Sequence, residues 1–179
     1  MTDEQIMIQV RGGDIAKASV LFERYSGRLY NFFLRLTYDQ ALSEDLTQNV
    51  FERIIRYKHS FNDSHLFKSW IFQIARNVRM DFYKKNKVKV SEATEVQNIG
   101  LEADSFFDKI EQKEIFQNLQ KAMLRLSDEQ REILVLTRFE KIKYAKVAEM
   151  LNISEGSVKV KVHRAIKELR PIFFKIDKL

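Results

Sequence analysis

A single proline, Pro171, and five glycines interrupt 179 residues in which apolar side chains recur at three- and four-residue spacing. Proline and glycine are the residues that helices tolerate least, and Leu, Ile, Phe, Lys, Glu and Gln dominate what is left. The combination predicts an all-α protein, helical nearly throughout. Gly12-Gly13 breaks the first segment, and Asp14 stands where it can cap the helix that follows. In that helix Leu21, Phe22, Tyr25, Leu29, Phe32, Phe33 and Leu36 form a broad apolar face. The pattern lapses over 37–42, and Ser43 can cap a second helix carrying Leu46, Val50, Phe51, Ile54 and Ile55. Phe61-Asn62-Asp63-Ser64-His65 reads as a loop, because short polar side chains compete with helical hydrogen bonding. A third helix starts near Lys68 and runs through Trp70, Ile71, Ile74, Val78 and Phe82.

The periodicity fails again over 87–108, which is acidic and polar, and this stretch is expected to be a flexible linker between two small helical domains, 1–86 and 109–179. Helical spacing resumes with Ile110, Phe116, Leu119, Met123 and Leu124. Ser127-Asp128-Glu129-Gln130 matches a capping box and opens a helix that buries Ile133, Leu134, Leu136 and Phe139. No internal repeat or low-complexity segment is visible.

Charge is distributed unevenly. Residues 1–86 carry 13 Lys/Arg against 10 Asp/Glu, 87–108 carry 2 against 5, and 109–179 carry 16 against 10. Two basic blocks flank an acidic connector, the electrostatic footprint of a polyanionic partner, most often nucleic acid. An apolar content of 45% excludes a disordered tail, and the absence of cysteine excludes disulfides and thiolate metal sites. The acidic start, Met1-Thr2-Asp3-Glu4, is followed by no long apolar run, so neither a signal peptide nor a membrane helix is expected and the default location is the cytoplasm.

The most informative segment is 144–159. A short helix with Val147, Ala148 and Leu151 inward is followed by Asn152, which tolerates a left-handed turn. Ile153 then plugs the core and Ser154 can cap a second helix. Val158, Val162, Ala165, Ile166 and Leu169 share one face of it. Ser157, Lys159, Val160, Lys161, His163, Arg164 and Lys167 are left facing outward, with Ser154 and Glu155 at its start. Cap, turn residue, spacing and charge together favour a helix-turn-helix over an ordinary hairpin with a solvated face. One stripe docks the recognition helix, and the other enters a major groove, where Lys and Arg meet phosphates or guanine edges.

The whole chain then resembles a known family. Ser43-Glu44-Asp45-Leu46-Thr47-Gln48-Asn49-Val50-Phe51 resembles the "DLxQxxF" signature of extracytoplasmic-function (ECF) sigma factors of the sigma-70 family, and residues 67–82 resemble their "FxxWLxxIARNxxxDxxR" helix. Residues 126–132 and 157–165 look like the second domain of the same family, with only the linker unmatched. The resemblance implies a sigma-2-like bundle and a sigma-4-like helix-turn-helix domain, no enzymatic activity and no cofactor. It implies as partners core RNA polymerase, promoter DNA as duplex and as melted strand, and an anti-sigma factor. It places Asp45, Gln48, Asn49, Glu52 and Arg53 against the polymerase, with Leu46 and Phe51 turned to the core. It places the loop Phe61, Asn62, Asp63, Ser64 and His65 where a base flipped from the −10 element is captured, and an aromatic there could stack for roughly 1–3 kcal/mol. Lys68, Arg76, Asn77, Arg79, Lys84 and Lys85 would hold the unwound strand, in keeping with a net charge of +5 over 76–89. Trp70 could wedge strands apart, but its spacing with Ile74 and Val78 favours core packing. The outward residues of the last helix would read the −35 element.

Two departures stand out. Lys141-Ile142-Lys143-Tyr144-Ala145-Lys146 replaces the family's usual "GxSYxEIA", and Val160-Lys161 replaces a small polar residue and an arginine. Lysine lacks the fork that grips guanine bidentately, so the upstream sequence read should differ from that of relatives. Two other classes were open. A stand-alone helix-turn-helix regulator binding duplex DNA would have no need of the N-terminal signatures. An enzyme would need a constellation that His59, His65 and His163 do not form, and no phosphate-cradling loop or paired catalytic carboxylates can be picked out.

Overall fold

The computed structural model describes residues 1–86 and 108–178, which hold eight α-helices and no strand. The chain falls into two compact units, Met1–Gln97 and Asn98–Leu179. The expected linker lies outside the described residues except for Asp108, which opens a helix.

In the first unit α1 (Asp3–Arg11) starts at a capping box between Thr2 and Gln5. Gly13, at φ 114°, ends that segment in a conformation other residues avoid. A 3-10 turn at Ile15–Lys17 leads into α2 (Ala18–Thr37), so Asp14 precedes the turn and its side chain makes no capping hydrogen bond. Tyr38 ends α2 in the left-handed region at φ 56°, which turns the chain into α3 (Gln40–Arg56). Asp39 caps α3 by accepting the Leu42 N–H at 2.9 Å. Ser43, expected at the cap, lies a turn inside the helix instead, its hydroxyl donating to the Asp39 carbonyl. Asp39 wins because its carboxylate accepts a charge-assisted bond from an otherwise orphaned amide. A second 3-10 turn, Lys58–Ser60, and the loop 61–66 precede α4 (Phe67–Asn86).

The core of this unit is aromatic. Phe32 and Phe33 of α2, Val50 and Ile54 of α3, and Phe67, Ile71, Phe72 and Val78 of α4 are buried, closed on one side by Ile6, Met7 and Val10 of α1. Edge-on ring pairs, Phe32 with Phe72 (5.3 Å) and Tyr25 with Phe67 (5.2 Å), lock α2 to α4. Phe22 departs from expectation. Leu21 takes the inward position, and Phe22 sits at the rim of the apolar arc, half exposed against Phe51.

In the second unit α5 (Asp108–Leu124) is closed by a neighbour. The Arg131 guanidinium donates to the carbonyls of Met123, Leu124 and Leu126 at 3.0–3.1 Å, satisfying acceptors that a helix end leaves open. Arg131 lies on α6 (Asp128–Leu134), which starts at the Ser127/Gln130 capping box and continues as a π-helical turn, Val135–Phe139. Then come α7 (Tyr144–Leu151) and α8 (Glu155–Asp177). Pro171 lies inside α8, where it removes one hydrogen bond without ending the helix.

Between the π-turn and α7 the Ile142 N–H reaches back six positions to the Leu136 carbonyl at 3.0 Å, one residue wider than the usual closure of an α-helix end, with a left-handed residue just before it. That residue is Lys141, at φ 53° and exposed. The left-handed conformation costs a β-carbon-bearing residue about 1–2 kcal/mol, part of which glycine gives back as unfolded-state entropy. Lys141→Gly should therefore stabilise the unit by up to about 1 kcal/mol, raising its melting temperature by several degrees. An unchanged or lowered midpoint in thermal unfolding would contradict this.

Candidate nucleic-acid interface

Asn152 closes α7 at φ 54°, and Ser154 opens α8 by accepting the Ser157 N–H at 3.1 Å, so the turn between the helices takes only three residues. Val158, Val162 and Ala165 are buried against the partner helices with Val147 and Ala148. The opposite face of α8 presents Glu155, Lys159, Val160, His163, Arg164 and Lys167 to solvent, with Ser157 and Lys161 half-buried at its edges. Two of its cations are engaged: Lys161 Nζ meets Glu129 of α6 at 2.5 Å, and Lys159 lies 3.6 Å from Glu155. Arg164 and Lys167 make no ion pair among the described residues. All nine residues expected on this face are therefore found together, with Ser154 exposed at the cap.

The first unit brings together fewer. In the loop Asn62, Asp63, Ser64 and His65 are exposed, held in an Asx turn in which Asn62 Oδ1 accepts the Ser64 N–H (3.0 Å) and hydroxyl (2.9 Å). Phe61 is not with them. It is 1% exposed, its ring 5.2 Å from Trp70 and 6.0 Å from Phe67, so it packs the core and is unavailable to stack on a base. Trp70 is half-buried in the same cluster. On α4 Asn77, Lys84 and Lys85 are exposed and Lys68 and Arg76 half-buried, but Arg79 is 1% exposed, its guanidinium 5.1 Å from the centre of the Tyr83 ring. Arg79 follows Phe72 by seven residues and Ala75 by four, the spacing that carries both of those inward, so its burial was legible from periodicity.

On α3 Asp45, Gln48 and Glu52 share an exposed face at three- and four-residue spacing, beside the half-buried Asn49 and Arg53. Arg53 donates to Asn49 (3.0 Å) and to Asp81 of α4 (2.8 Å), tying the two helices together. Leu46 is buried and Phe51 half-buried.

Electrostatics near the loop have clear causes. The Arg11 guanidinium bonded to Asp63 holds that carboxyl below its usual range, so it stays ionised at neutral pH. Burial, reinforced by the bond to Asp3, pushes the Tyr25 hydroxyl up and keeps it a donor. Among the described residues no cluster of His, Asp and Glu could hold a metal, and no helix is long and apolar enough to cross a membrane.

Comparison with known proteins places both units in one family. Residues 21–88 match the Sigma-70 region 2 family and residues 116–169 match Sigma-70, region 4. The ECF RNA polymerase sigma factor SigM of Bacillus subtilis is 32% identical over 154 residues, covering 86% of this chain and 93% of that protein. The chain is an ECF RNA polymerase sigma factor. A second relative, the ECF RNA polymerase sigma factor SigW of the same organism, is 28% identical over 171 residues and covers 90% of this chain and 91% of its own. Two solved structures share the fold. CnrH in complex with the cytosolic domain of CnrY has a TM-score of 0.72 at 18% identity, covering 97% of each chain. The sigma factor RpoE of Bartonella quintana, in complex with the anti-sigma factor NepR, has a TM-score of 0.69 at 23% identity, covering 86% of this chain and 94% of that one.

With both regions matched, this sigma factor directs promoter-specific initiation by RNA polymerase, and the stand-alone regulator is not favoured. The matched region 2 begins at Leu21, so α1 lies upstream of it. Two α1 residues that the sequence did not single out, Glu4 and Arg11, nevertheless bond to both ends of the polar loop. An exposed Leu66 also ends that loop, an apolar side chain with no periodic neighbours to mark it.

Proposed function

We propose that the sigma factor divides its work between residues 1–86 and 109–179. Asp45, Gln48, Asn49, Glu52 and Arg53 dock on core polymerase. The exposed loop 62–65, with Lys68, Arg76, Asn77, Lys84 and Lys85, takes the melted strand of the −10 element. The outward face of α8, Ser154 through Lys167, reads the −35 duplex. The observation that carries this reading is the face of α8: a stripe of buried Val158, Val162 and Ala165 fixes the helix while Lys159, His163, Arg164 and Lys167 stand opposite it in solvent. Cations on one side of a docked helix that follows a left-handed Asn152 turn suit a major groove.

A cytoplasmic location follows from acting on polymerase, and a protein that positions other molecules needs no catalytic residues of its own. An anti-sigma factor is the natural inhibitor, since covering the α3 face or the α8 face would suffice to block the factor. Unaided, the two DNA contacts act at low effective concentration until polymerase sets their separation.

Run-off transcription with core polymerase, the full chain and a pool of promoter fragments tests the reading. The expected result is polymerase-dependent transcripts from a subset of fragments that share two spaced elements. Absence of transcripts together with tight unaided binding to duplex DNA would overturn it.

A further inference from the structure

The loop proposed to take the melted base is held at both ends by α1. Glu4 and Arg11 are seven residues apart, two helical turns, and so project from one side of α1. Arg11 Nη1 donates to the Phe61 carbonyl at 2.9 Å, and the guanidinium forks onto Asp63, Nη1 to Oδ1 at 2.5 Å and Nη2 to Oδ2 at 3.1 Å. A planar fork on a carboxylate fixes direction as well as distance, which lysine could not do. At the other end Glu4 Oε1 accepts the Phe67 N–H at 2.9 Å, one of the amides that the start of α4 would otherwise leave open. Ile6, Met7 and Val10 are buried in the core, so α1 cannot slide along the loop without breaking that packing.

Asn62, Asp63, Ser64, His65 and Leu66 therefore bulge into solvent between two fixed points, with their internal shape set by the Asx turn. Both Asp63 oxygens are met by Arg11, whereas His65 and Leu66 are exposed. We propose that Arg11 and Glu4 are positioning residues for promoter melting, holding the loop in the shape that receives an unstacked base, and that Asp63 is the receptor for Arg11 rather than a base contact. The proposal rests on the loop reading given above and extends the melting device to a helix that precedes the matched region.

The pair lies near the surface, with side chains 31% and 51% exposed, so breaking it leaves the fold intact. Its effect should appear as lost discrimination. Open-complex formation by the reconstituted holoenzyme would be followed by permanganate reactivity, on a transcribed promoter and on templates substituted one base at a time through the melted element. Core affinity of each variant would be measured in parallel by competition. Arg11→Ala is expected to cut the ratio of cognate to substituted template by on the order of 10- to 100-fold, the scale of a one-ångström misplacement, with core affinity unchanged. Arg11→Lys should recover little of it, Glu4→Gln should lose less, and Arg11→Ala/Asp63→Asn should be no worse than either single change. If His65→Ala alters discrimination while Arg11→Ala does not, the positioning role is wrong and the loop reading stands. If neither does, the loop does not read the base and the proposal falls with it. A loss of core affinity in step with a lowered melting temperature would make α1 a structural element only.

Discussion

Alanine in place of Phe67 is expected to cost the first unit about 3–5 kcal/mol, the range for truncating a fully buried aromatic residue. Phe67 has no exposed surface, and three rings surround it: Tyr25 at 5.2 Å, Trp70 at 5.9 Å and Phe61 at 6.0 Å. These come from α2, α4 and the start of the loop, so the void would open where three segments meet and none of them could collapse into it alone. Small domains are stable by only about 5–15 kcal/mol, so such a loss is a large share of the whole. Urea unfolding followed by circular dichroism should show a first transition moved to much lower denaturant, with the second unit unaffected. Phe67→Leu, which keeps most of the apolar volume, should cost less than half as much. A loss below about 1 kcal/mol for the alanine variant would mean that the site repacks, contrary to the ring cluster described.

Phe61, one of the rings around Phe67, is where the sequence stops being legible. The helices and their inward faces were readable because period 3.6 is written into the chain: Val158, Val162 and Ala165 share a face by spacing alone and all three are buried. The cap at Ser154, the capping box at Ser127 and the left-handed Asn152 were readable because each turn needs a particular residue chemistry. Phe61 was misread because a loop has no period. Only the tertiary neighbours Phe67 and Trp70 decide that an aromatic between a 3-10 turn and a polar stretch points inward. Arg79 was misread for a different reason, since its charge outweighed a spacing that already put it inside. Arg11 and Glu4 were invisible because their partners lie 52 and 63 residues away. The cap of α3 lies at Asp39 and not at Ser43 because two acceptors one helical turn apart compete there, whereas a 3-10 turn separates Asp14 from α2.

On the proposed assignment of the α8 face, Arg164→Ala should produce the largest loss of upstream-element recognition. A bidentate arginine–guanine contact discriminates by about 1–3 kcal/mol, or roughly 5- to 150-fold. Arg164 is exposed and makes no ion pair among the described residues, so nothing in the protein must be broken before it can meet DNA. Lys159→Ala should act differently, weakening all duplex sequences alike and lowering the salt dependence of binding by about one phosphate contact. Lys161→Ala should matter least of the three, because Glu129 of α6 already holds that ammonium and DNA would have to displace a carboxylate to gain it. Fold stability should change little in any of them, since all three replace surface side chains. Transcription by the holoenzyme from templates with intact and scrambled −35 elements separates these effects, repeated across salt concentrations. Equal dependence on the upstream element in wild type and Arg164→Ala, together with an unchanged salt dependence in Lys159→Ala, would remove α8 from the reading of DNA. The order Arg164, Lys159, Lys161 would instead show that α6, through Glu129, limits how many cations of the recognition helix are available to the groove.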